Sequence, residues 1–100
     1  MEIKKEQRGN KLTISLSGRL AVKEAKDLDK VVRTELEGIH DLTFDLAELS
    51  YVASAGLRVF LVAQDMMDEA RGNMRLIHVA PMVKDILELT GFSKFMEIEE

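Results

Sequence analysis

Apolar and polar residues alternate along this chain with two different periods, and the changes of period mark its elements. From Lys11 to Ser17 every second residue is apolar: Leu12, Ile14 and Leu16 against Thr13, Ser15 and Ser17. A period of two puts the two sets on opposite faces, so the stretch reads as a half-buried strand. Asp41 to Leu46 repeats the pattern, with Leu42, Phe44 and Leu46 inward and Thr43 and Asp45 outward. Met74 to Val79 alternates less cleanly, and Phe95 to Ile98 suits a short last strand. A weaker alternating segment (Ile3, Lys5, Gln7) precedes all of these. Gly9-Asn10 stands between it and Lys11, as a hairpin turn would.

Between the strands the period lengthens to three and four. Val22 to Leu36 aligns Ala25, Leu28, Val32 and Leu36 on one helical face, and Gly38 follows as a stop. Lys23 with Asp27 and Asp29 with Arg33 have the i, i+4 spacing of ion pairs on its solvated side. A second helix spans Ala55 to Ala70 and is closed by Gly72-Asn73. The third starts at Pro81, buries Val83, Ile86 and Leu87, and ends at Gly91. Met66, Met67, Met82 and Met96 read as core fillers, with Met82 the one placed for exposure.

The resulting order, β-β-α-β-α-β-α-β, predicts an α/β single domain with a mixed, mostly parallel sheet and an N-terminal hairpin. Strands joined through helices run parallel, with right-handed crossovers. Sheets covered on both faces have continuously apolar strands, whereas these alternate. The helices are therefore expected mainly on one face, leaving the other solvated or free for contacts.

Composition narrows the function. One hundred residues without a linker or repeat predict one domain over 1–100. The 46% hydrophobic and 32% charged fractions are those of a globular chain. A net charge of −4 gives no basic footprint for nucleic acid or an anionic membrane surface. Without cysteine there is no disulfide framework or thiolate zinc site. MEIKKEQRGN lacks a signal-peptide core, and no apolar run approaches the roughly 20 residues of a membrane span. A cytoplasmic protein without membrane insertion is expected.

The chemistry concentrates in YVASAGLRVF, Tyr51 to Phe60. Ser54 follows a strand exit and precedes a helical run, the place of an N-cap whose hydroxyl accepts from a first-turn amide. Gly56 costs about 1 kcal/mol of helix propensity relative to alanine, which close packing or a partner's approach must offset. Two readings stay open: a simple cap beside a packing glycine, or a surface that another protein covers. The helix behind favours the second. Val59, Val62, Ala63 and Met66 make one apolar side and Leu57, Phe60, Leu61 and Met67 another, with only Arg58, Asp65 and Glu69 between. Part of that surface is expected to form an exposed contact patch.

Catalytic readings find little support. A nucleophile elbow needs Gly-x-Ser-x-Gly, and Val52 stands at the first glycine. His40 reads as a loop residue and His78 as a strand residue, neither linked to Ser54. With Asp41 and Asp45 they lack metal-ligand spacing, and no Gly-x-x-x-x-Gly-Lys loop occurs. No enzyme activity, cofactor or metal is expected.

LTFDLAELSYVASAGLRVFL resembles the central signature of the STAS domain of anti-sigma-factor antagonists. ISLSGRL is similar to that family's strand and turn before its first long helix, and LELTGFSKFMEI to its last helix, Thr-Gly turn and final strand. The resemblance covers nearly the whole chain. It implies a non-enzymatic transcription regulator whose partner is an anti-sigma factor and serine kinase, with a phosphatase resetting the switch. It assigns phosphorylation to Ser54 and partner contact to Ala21, Ala53, Ser54, Ala55, Gly56, Leu57 and Arg58. A phosphate at a helix N-terminus is tolerated by the domain, whereas an interface closing over it meets a desolvated anion. Two positions depart from the family: Ala53 and Ala21 stand where many members carry aspartates that face the kinase. The alternative they favour is a STAS-type scaffold or adaptor in a signalling or transporter complex, without phosphorylation.

Overall fold

The hairpin forms as its turn residues dictate. The computed structural model describes residues Met1–Glu100 and begins with β1 (Glu2–Arg8) antiparallel to β2 (Lys11–Leu20). Gly9 takes φ +62 at the first loop position while Asn10 keeps an ordinary φ, as in a type II′ turn. Then follow α1 (Val22–Glu35), β3 (Asp41–Val52), α2 (Ser54–Glu69), β4 (Asn73–Ile77), α3 (Pro81–Leu89), a 3-10 turn (Phe92–Lys94) and β5 (Glu97–Ile98). The strand order is β1-β2-β3-β4-β5, with every pair after the first parallel. Each crossover steps the same way, so right-handed connections put all three helices on one face. Burial agrees with the alternation: Leu12, Ile14, Leu16, Leu42, Phe44, Leu46, Met74 and Leu76 are buried, while Thr13, Ser15, Thr43, Asp45 and Arg75 are half-exposed.

The strand ends differ from expectation for identifiable reasons. β3 continues past Leu46 to Val52 because its pairing with β2 survives two register shifts, between Ser15 and Ser17 and between Gly18 and Arg19. At each shift β3 carries an extra residue, a bulge that resets which side faces inward. Leu46, Leu49 and Val52 are thereby buried at a spacing of three, which hides the strand from a period-two search. β4 stops at Ile77, because His78 adopts a left-handed φ of 55. β5 is shorter than Phe95–Ile98, because the Phe95 amide closes the 3-10 turn on the Phe92 carbonyl at 3.0 Å.

The core lies between the sheet and the helices, with Phe44 of β3 meeting Phe60 of α2 edge-on at 5.0 Å. α1 buries Ala25, Leu28 and Val32 and packs along α2. Its Arg33 Nε donates to Asp29 at 2.8 Å, but Lys23 and Asp27 form no corresponding pair. Met67 and Met96 are buried and Met82 is 62% exposed. The exposed apolar patch expected on α2 is not there. No large apolar side chain of that helix is exposed, because α1 covers the flank that the sheet leaves bare.

Candidate functional site

β2 and β3 end side by side at the pair Leu20 and Val52, and each leads directly into a helix. Ala21 and Ala53, the next residues, are extended (φ −90, ψ −175 and φ −87, ψ 166) and cap α1 and α2. The Ala53 amide donates to the Leu20 carbonyl at 2.9 Å, holding Ala53 in strand geometry. Its carbonyl accepts from the Gly56 and Leu57 amides at 2.9 and 3.1 Å, which starts the helix. The N-cap is therefore Ala53 and not Ser54, since the inter-strand bond already supplies the extended residue a cap requires. Ser54 is the first helical residue, exposed and without a cap hydrogen bond.

Gly56 is explained by packing. A Cβ there would lie 2.6 Å from Leu20 Cγ, 2.7 Å from Leu20 Cδ2 and 3.0 Å from Val52 Cγ2. The glycine lets the first turn of α2 settle onto the ends of β2 and β3, which offsets its low helix propensity. Leu57, one residue on, is buried in the core. Gly56 and Leu57 are thus buried in the free domain. Ser54 and Arg58 are exposed, and Ala21, Ala53 and Ala55 are half-exposed.

Of these, Ser54, Ala55 and Arg58 line a surface cleft of about 400 Å³ between α1 and α2. Val22, Ala55, Val59 and Val62 give it an apolar lining, and Lys26, Arg33 and Arg58 outweigh Asp29 in charge. Val22 is 60% exposed, an unusual place for a valine in a helix's first turn. Both helices start at the carboxyl ends of adjacent parallel strands, so their unpaired first-turn amides open toward the same end of the sheet. Arg58 stands four residues after Ser54, on the same side of α2. The arrangement favours negative charge at Ser54 through amides, helix dipole and a nearby guanidinium.

One neighbour was not visible in the sequence. Arg19 stacks over the Tyr51 ring, 4.2 Å from guanidinium carbon to centroid, on the open face beside the last paired residues. Only the register across the bulges brings the two together. His78 Nδ1 lies 2.9 Å from Asp45 Oδ1, so the histidine engages a mid-strand carboxylate. No group of three or more His, Cys, Asp or Glu side chains is placed to hold a metal ion. No helix is long and apolar enough to cross a membrane.

The family model of the STAS domain matches residues 2–100. BtrV of Bordetella bronchiseptica is 29% identical over 82 residues, spanning 81% of this chain and 71% of BtrV. The anti-sigma-B factor antagonist of Staphylococcus epidermidis is 27% identical over 88 residues, spanning 87% of this chain and 82% of its own length. Among solved structures, an anti-sigma factor antagonist from Mycobacterium paratuberculosis superposes with a TM-score of 0.85 at 18% identity, covering 98% of this chain and 84% of that one. The Bacillus protein SpoIIAA superposes in its unphosphorylated form with a TM-score of 0.80 at 15% identity, covering 99% and 87%. Its phosphorylated form gives 0.79 at 16%, covering 97% and 90%.

Proposed function

This chain belongs to the STAS-domain family, and from that membership we propose that it is a non-enzymatic anti-sigma-factor antagonist whose contact surface centres on Ser54. It binds an anti-sigma factor that also acts as a serine kinase, phosphorylation of Ser54 ends the complex, and a phosphatase restores it. The observation that carries this reading is the state of Ser54: exposed, first in its helix, and free of the cap bond that would occupy its hydroxyl. The naming of curated relatives as anti-sigma factor antagonists supports the same reading.

The surface offered to the partner is Ala21, Ala53, Ser54, Ala55 and Arg58 with the α1–α2 cleft beside them. The small residues keep the helix ends open, and the valines of the cleft supply apolar area to bury. A phosphate on Ser54 adds about −1.5 to −2 charges, which the first-turn amides of α2 and Arg58 stabilise within the free domain. A partner seated over Ser54 would have to desolvate that charge. The modification therefore removes the partner without unfolding the domain.

Native co-purification with the wild type and with Ser54→Ala and Ser54→Asp variants tests this. Ser54→Ala keeps the partner; Ser54→Asp weakens retention on the order of tenfold to a hundredfold, as an uncompensated interfacial charge does. Intact-mass measurement shows one phosphate on the wild type and none on either variant. Equal retention of both variants, with no phosphate on the wild type, would instead establish a scaffold or adaptor. That second reading draws on one observation: alanine at both cap positions, 21 and 53, leaves no acid facing a kinase.

A further inference from the structure

The two edges of the sheet are unlike. β5 offers two residues, whereas β1 offers seven, all but Ile3 exposed. β1 pairs with β2 over seven consecutive positions with no register shift, and contains no proline or glycine. A long, regular free edge is a template for another strand unless something blunts it. In the hairpin, Arg8 and Lys11 close a two-residue turn, the position of a hydrogen-bonded pair. Since such pairs alternate, Glu2, Lys4, Glu6 and Arg8 bond to β2, and Ile3, Lys5 and Gln7 turn their N–H and C=O groups outward.

The side chains along this edge have a hidden symmetry. On the open face the signs alternate: Glu2, Lys4, Glu6, Arg8, with neighbours 3.9 Å (Glu2–Lys4) and 3.4 Å (Glu6–Arg8) apart. Reversed onto itself about Lys5, the strand sets Glu2 opposite Arg8 and Lys4 opposite Glu6, each twice across the two-fold axis. Ile3 then faces Gln7, and the outward backbone groups of Ile3, Lys5 and Gln7 meet one another. Moving the axis to Lys4 would oppose Glu2 with Glu6 and Lys4 with itself. Moving it to Glu6 would oppose Lys4 with Arg8 and Glu6 with itself. The complementary register is thus flanked by two repulsive ones. The two Lys5 side chains meeting at the axis lie on the helix face, and each already holds Glu35 of its own α1 at 2.7 Å.

We propose that β1 is a homodimerisation edge: two copies pair antiparallel about Lys5 and join their sheets into one continuous sheet. A strand edge is a small contact, so the dimer is of the weak, concentration-dependent class. Sedimentation equilibrium of the wild-type chain up to ~1 mM, where association with a millimolar constant is readable, shows a monomer–dimer equilibrium. Lys4→Glu opposes like charges twice and raises the dissociation constant roughly tenfold. Lys4→Glu combined with Glu6→Lys restores opposite charges across the axis and recovers the dimer. Lys5→Pro removes an outward N–H, abolishing the dimer while circular dichroism of the monomer stays unchanged. A wild type that remains monomeric throughout, or a dimer indifferent to the charge reversal and its restoration, would overturn the proposal. The charge pair decides the matter even if the proline variant fails to fold.

Discussion

At Gly56 a missing side chain sets where α2 can begin. The Leu20 and Val52 side chains that a Cβ would strike are buried, so they cannot swing aside. Gly56→Ala therefore forces a shift of the helix start despite its better helix propensity. A clash of about 1–3 kcal/mol against a gain of about 1 leaves a net loss of up to about 2 kcal/mol, measurable as a lower urea midpoint with an unchanged m-value. Ser54 shows the complementary lesson about legibility. The Ser-Ala-Gly step marks the junction of strand and helix, but the cap that it suggests at Ser54 lies at Ala53. The bond from the Ala53 amide to the Leu20 carbonyl, absent from any local pattern, moves the cap one residue earlier.

All three helices share an unusual start: Ala21, Ala53 and Ala80 are their N-caps, and none makes a side-chain cap bond. Alanine is a poor cap, so first-turn amides at each start lack a side-chain acceptor. Ala21→Asp and Ala53→Asp should each raise stability by about 0.5–2 kcal/mol, seen as higher urea midpoints. The gain carries a corollary for the proposed function: an aspartate at Ala53 would draw on the same first-turn amides that a phosphate on Ser54 would need. The periods of two and of three to four located each of these helices and strands, with every end but that of β3 placed within a few residues. They failed at β3 beyond Leu46, where bulges break the alternation, and at His78, where a positive φ ends β4 without a glycine to announce it.

For the molecule as a whole, the crossover rule and the alternating strands were enough to anticipate helices on one face. The apolar surface of α2 exceeds what the sheet can cover, and α1 packing along it takes up the surplus. Stability is also uneven across the sheet. β2 and β3 pair over their full lengths at its centre, whereas β5 is two residues tied through the Glu99 amide to Leu76 (2.8 Å) and the Val79 amide to Glu99 (3.1 Å). Native-state hydrogen exchange should show the Val79 and Glu99 amides exchanging by local opening, and the Ile14, Phe44 and Leu46 amides only near global unfolding.

The strand order has one more consequence, for the chain as it leaves the ribosome. Because the order in space is the order in sequence, each strand after the first emerges when its parallel or antiparallel neighbour has already been made. No strand has to be held open for a partner still to be translated. The sheet can lengthen by one strand at a time, always at the same growing edge, with each helix folding back over the pair just completed.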